Sequence, residues 1–188
     1  MSAADVIASV CALVARGDST AAARTLTLDL PHSPHVPVRR KYTAAESLRV
    51  FRRDGFIDRY SGERLVFPGT LRLLSIRFPS EFPYHPNWRM SEVHESYWRL
   101  SPTIDHLQPV SRGGRDEPEN WVTTSQLRNN AKAHWTLAEL GWTLHPPGDL
   151  DIWDGLLGWF VGQVEADPGL ARTPAIRRWF AAGLAPSA

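Results

Sequence analysis

Around a turn carrying Pro109 and Gly113-Gly114, the chain sets Asp105-His106, Asn120, Arg128, Asn129 and Lys132. An imidazole titrates near working pH, so His106 can take a proton from water. The carboxylate of Asp105 and the amide of Asn129 offer hard oxygen donors, which Mg²⁺ or Mn²⁺ favours over zinc-type ligand sets. Arg128 and Lys132 carry charge that could meet a phosphate. An Asp-His pair alone means nothing; the spacing gives it weight. Asn120 lies fourteen residues after His106, Asn129 nine further on, and Lys132 three beyond that.

To hold these groups together the segment has to run as a short strand, a Pro/Gly-rich turn, a second short strand and a helix opening near Ser125. In that order it resembles the HNH endonucleases, whose pattern is Asp-His, a Pro, often Gly-Gly, an Asn, then a helical Asn or His with Lys three residues on. The resemblance covers mainly residues 103–132, with a weaker extension back to about residue 53. It implies an α+β fold, a ββα-metal HNH element of treble-clef type embedded in a mainly helical domain. It also implies metal-dependent hydrolysis of phosphodiester bonds in nucleic acid, DNA ahead of RNA. His106 is then the general base, Asp105 and Asn129 hold one Mg²⁺ or Mn²⁺, and Asn120 braces the two strands through backbone and so fixes His106.

Many members of that family frame the element with a zinc site, a Cys-x-x-Cys-Gly knuckle upstream and Cys-x-x-Cys-Asn at the helix start. Here Asp58 and Ser61 occupy the first pair of places, Ser125 and Arg128 the second, and the one cysteine is Cys11. No structural zinc is expected. An Asp58–Arg128 ion pair is expected to cross-link the same two segments instead, with packing around Tyr60 and Trp121.

The formal net charge of +1 conceals an uneven distribution. Residues 39–77 hold ten Lys/Arg against Glu46, Asp54, Asp58 and Glu63, a local +6, while residues 135–188 hold three basic against six acidic. A basic central stretch suits a polyanion, and Arg49, Arg52, Arg53, Arg128 and Lys132 are the expected nucleic-acid contacts. The same charge would serve a module that binds nucleic acid without cutting. It would also serve a defence or toxin nuclease that needs a trigger or an immunity partner. No apolar run reaches the roughly 18 residues of a membrane span. The apolar residues 6–15 lack a basic leader and read as an amphipathic helix rather than a secretion signal. One cysteine excludes an internal disulfide and fits a cytoplasmic location.

The surrounding elements follow from caps and breakers. A helix is expected over residues 2–16, a second apolar-rich piece over 20–30, then a Pro-rich linker over 31–37. Thr43 and Glu46 form a capping box that opens a helix through residue 53, ended by Gly55. Residues 64–77 read as two strand pieces or a hairpin, Met90 to Trp98 shows helical spacing, and helices cover 149–165 and 173–184. This divides the chain into an N-terminal helical segment with its linker (1–38), a nuclease core (39–147) and C-terminal helices (148–188). The span 150–164 is apolar on most sides and suggests a homodimer surface. Trp121, Trp153, Trp159 and Cys11 are expected in the core, and the six other histidines on the surface or in structural roles.

Overall fold

The computed structural model describes residues 1–32 and 41–185. The chain divides into two compact units, Met1–Arg39 and Arg40–Ala188. Residues 33–37 of the Pro-rich stretch, together with Arg39 and Arg40 of the basic run, lie outside the described residues.

The first unit is a helical hairpin of α1 (Ala3–Ala15) and α2 (Ser19–Asp29). Ser2 and Asp5 form a capping box on α1, and the Asp18 carboxylate accepts the Ala21 N–H at the start of α2. Among the described residues of this unit only Val6, Val10 and Ala22 are buried, and Cys11, expected inside, is exposed. Two short helices cannot enclose a whole apolar stripe, so part of it stays in solvent.

In the second unit the Thr43–Glu46 capping box opens α3 (Ala44–Arg53). The chain then reverses at Gly55, φ +64°, where a Cβ would stand 2.3 Å from the Gly148 backbone. A bridge between Ile57 and Arg64 closes a tight turn in which the N–H groups of Ser61 and Gly62 reach the Asp58 carbonyl. Residues 68–77 form helix α4 (Pro68–Arg77), which corrects the strand pair expected there. Pro68 suits the first turn of a helix, where its missing N–H has no partner to lose. The strand-like apolar richness reflects a helix covered on two sides: Leu73 packs with the C-terminal helices, while Leu71 and Ser75 meet Val93 and Tyr97.

Residues 78–95 run as turns, broken by Pro79, Pro83 and Pro86, so the helix expected from Met90 shrinks to α5 (Ser96–Leu100). Strands β1 (Pro102–His106) and β2 (Trp121–Ser125) pair antiparallel, from Pro102 opposite Ser125 to His106 opposite Trp121. Helix α6 (Gln126–Lys132) follows without a gap, capped by the Ser125 hydroxyl. After α7 (Leu137–Leu140), the long helix expected from residue 149 begins only at α8 (Leu157–Ala166). Asp154 accepts the N–H groups of Leu156 and Gly158, and Gly155 and Leu156 take left-handed backbone, so Asp-Gly acts as a helix start rather than helix interior. Helix α9 (Pro174–Leu184) completes the unit.

The core joins Leu48 and Phe51 of α3 to Phe56, Phe67, Phe160 and Ile176, with Ile104 of the ribbon. The apolar span 150–164 therefore divides: Leu157, Phe160 and Val164 bury in their own unit, while Trp159, expected in the core, is 41% exposed. Among the described residues no helix is long and apolar enough to cross a membrane.

Candidate functional site

Three buried polar anchors fix the ribbon before any chemistry is considered. Asp54 accepts the Thr123 N–H at 2.7 Å and pairs with Arg53 at 3.0 Å and Arg59 at 2.9 Å. Thr123 in turn donates its hydroxyl to the Val50 carbonyl of α3. Asp58, with 0% of its surface exposed, accepts the Tyr60 N–H, the Thr124 hydroxyl and the Ser125 N–H at 2.8–2.9 Å. Ser125 thus gives its N–H to the knuckle and its oxygen to the Arg128 N–H, turning strand into helix in one residue.

The expected Asp58–Arg128 ion pair is not formed: the Arg128 guanidinium lies over the Trp142 ring, 5.3 Å from its centroid. Neutral donors already satisfy the Asp58 carboxylate, so the knuckle is tied to the helix start without a counter-charge.

The two faces of β1 carry different groups, because successive strand side chains alternate. On one face Asp105 accepts the Tyr60 hydroxyl at 2.7 Å and pairs with the Lys132 ammonium at 3.0 Å. Lys132 also donates to the His106 carbonyl at 2.7 Å and is wholly buried. That corrects its expected role at a phosphate: its charge is enclosed, tying α6 to the end of β1. Burial, and then the Asp105 charge, push the Tyr60 hydroxyl well above its ordinary pKa, so it remains a donor.

On the other face the His106 Nε2 lies 2.8 Å from Asp116 Oδ1, which also accepts the Tyr42 hydroxyl at 2.6 Å and the Trp121 indole N–H at 2.8 Å. Desolvation raises the Asp116 pKa, but the bonds from Tyr42, His106 and Trp121 outweigh it and leave the carboxyl below its usual range. An ionised carboxylate only accepts, so Nε2 carries a proton, and the tautomer this selects has its lone pair at Nδ1. Nδ1 makes no hydrogen bond among the described residues.

Asn120 closes the turn. Its Oδ1 accepts the Gln108 N–H at 2.9 Å, and its Nδ2 donates to the carbonyls of Gln108 at 2.9 Å and Arg115 at 2.8 Å. Gly114 fits here because a Cβ would stand 1.9 Å from the Gln108 oxygen.

The structure therefore gathers His106 and Asn120 at one end of the ribbon, while the Asp105 carboxylate engages partners on the opposite face from the His106 ring. Asn129 is half-buried on α6, one turn before Lys132 and on the same side. Among the described residues no three His, Cys, Asp or Glu form a metal cluster. The donors still fit a hard cation in kind: Asp105 Oδ1 and the Asn129 amide oxygen make no hydrogen bond among those residues. Mg²⁺ takes few protein ligands and fills its other positions with water and phosphate oxygen.

Two of the expected nucleic-acid contacts are engaged elsewhere. Arg52 donates to the carbonyls of Gly183 and Ala185, and Arg53 to Asp54, Pro118 and Trp121. These long cations clamp α3 to α9 and to the turn; charge counting alone cannot distinguish a clamp from a contact surface. Arg49 is exposed and lines a groove of about 400 Å³ with Glu46, Arg53, Pro118 and Trp121. Asp116 and Tyr42 are functional candidates that the sequence reading missed. The available signal was an acid in the Gly-Gly turn four residues before Asn120. No family model, curated protein or solved structure matches this chain.

Proposed function

We propose that the chain is a metal-assisted endonuclease of HNH type, hydrolysing phosphodiester bonds in nucleic acid, with DNA the favoured substrate. The observation that carries this reading is the His106–Asp116 pair at the end of a ribbon braced by Asn120 and backed directly by α6. His106 Nδ1 takes a proton from water as the water oxygen bonds to phosphorus, and the P–O3′ bond breaks, with the departing oxygen protonated by solvent. Asp116 holds the ring and stabilises the imidazolium while that proton is present. Asp105 and Asn129 would hold the divalent cation, which when bound neutralises the phosphate and the departing oxygen. Arg49, exposed in the groove beside Trp121, would meet a substrate phosphate.

Plasmid cleavage by the wild type and His106→Ala, in Mg²⁺, Mn²⁺, Zn²⁺ and excess chelator, tests the reading. Cleavage is expected in Mg²⁺ or Mn²⁺, little in Zn²⁺, and none in chelator. Unchanged cleavage by a normally melting His106→Ala would overturn the assignment of the base. Full activity in chelator would overturn the metal. DNA retained uncut under every condition would point to a binding module instead.

A further inference from the structure

At the opposite end of the ribbon from His106, a cleft of about 230 Å³ opens between the turn region 78–95, α4, α9 and the start of α6. Tyr84, Trp88, Tyr97 and Trp179 line it with aromatic surface. Tyr84 and Trp88 stand 5.3 and 5.6 Å from the Tyr97 ring, and the Arg72 guanidinium lies 3.8 Å above Tyr84. Arg178 adds a second, exposed cation at the rim. Polar groups converge there too. Ser101 is 6% exposed, lines the cleft, and its hydroxyl makes no hydrogen bond among the described residues. The side chains of Thr103 and Gln126, also in the lining, are similarly unengaged.

Planar apolar walls, hydroxyl and amide groups within, and guanidinium at the edge form a set suited to a nucleobase with its phosphate. The β1 residue at this end, Pro102, is four steps from His106, about 14 Å at strand rise. A nucleic-acid strand whose scissile phosphate meets His106 can span that distance.

We propose that this cleft holds one unstacked base of a single-stranded segment of the substrate, a few nucleotides from the bond that is cut. The proposal rests on the nuclease reading for its ligand class, and its test is one of binding alone. The full chain carrying His106→Ala, in chelator, is titrated with short single-stranded DNA in which an abasic position is moved stepwise along the strand. Fluorescence anisotropy reads the affinity. One abasic position is expected to weaken binding about fivefold or more, the lower range for loss of a stacked base. Tyr84→Leu should bind the intact strand as weakly and no longer distinguish the abasic one, whereas Tyr84→Phe should retain the difference.

Equal affinity for every strand in both His106→Ala and its Tyr84→Leu derivative overturns the proposal, even if the wild type cuts plasmid. A Tyr84-dependent base effect in a protein that cuts nothing supports the cleft while removing the nuclease. If Tyr84→Leu melts early, Arg178→Gln serves, since Arg178 is exposed and outside the core: lower affinity supports the proposal and unchanged affinity overturns it. Displacement of the strand by a deoxynucleoside monophosphate supports the cleft and identifies the base with its phosphate as the recognised unit.

Discussion

The two faces of β1 solve opposite problems with the same kinds of groups. Behind the strand, Asp105 meets Lys132 and Tyr60 in a site from which solvent is almost wholly excluded. In front, His106 meets Asp116, whose side chain is 39% exposed. The rear carboxylate gives Oδ2 to a full ammonium, which locks a helix to a strand end, and keeps Oδ1 as the oxygen proposed for the cation. The front carboxylate is satisfied by hydrogen bonds and leaves one imidazole nitrogen without a described partner. Asp105 and His106 are equally buried, so the partners that each face supplies, rather than enclosure, divide fastening from reacting.

The largest expected effect is on the front face. His106→Ala should reduce cleavage by about 10²–10⁴-fold, the usual worth of a general base, measured below its melting temperature. Next comes the rear. Lys132→Met strands the Asp105 charge and is expected to cost about 3–5 kcal/mol in urea unfolding. Loss of cleavage with no loss of stability would invert the comparison. Asp58→Ala leaves three donors without an acceptor and should cost about 3 kcal/mol, at roughly 1 kcal/mol or more for each. Asp116→Asn should lower cleavage by about 10–100-fold, the range for groups that orient a functional imidazole, and stability much less.

The smallest effect concerns Glu139, held down to about 2 by hydrogen bonds from Arg112 and then Thr136. A depressed carboxylate stabilises the fold above its ordinary pKa and loses that contribution as pH falls through the folded value. The melting difference between the wild type and Glu139→Gln should therefore be full above pH 4.5 and fade toward pH 2.

Local signals were legible where they act locally. The Thr43–Glu46 box, the Ser125 cap and the positions of His106 and Asn120 around the Gly-Gly turn follow from spacing and side-chain type. Residues 64–77 misled because an enclosed helix and a strand show the same apolar richness, while Pro68 starts the helix. Residues 149–156 misled because their apolar residues look helical, while Asp154-Gly155 turns the chain before the helix starts. Lys132, Arg52 and Arg53 looked like surface charge, and no spacing rule discloses that their partners are carbonyls and carboxylates from distant segments.

Asp58 has a consequence beyond stability. Its bonds to Thr124 and Ser125 bridge 66 and 67 positions of sequence, and the Asp54–Thr123 bond bridges 69. Contacts so remote form only after a long loop has closed, which slows folding and denies the ribbon any local nucleus of its own. A peptide of residues 101–132 should therefore remain a coil in isolation. Transplanting the motif into another scaffold would require residues 54–60 to travel with it.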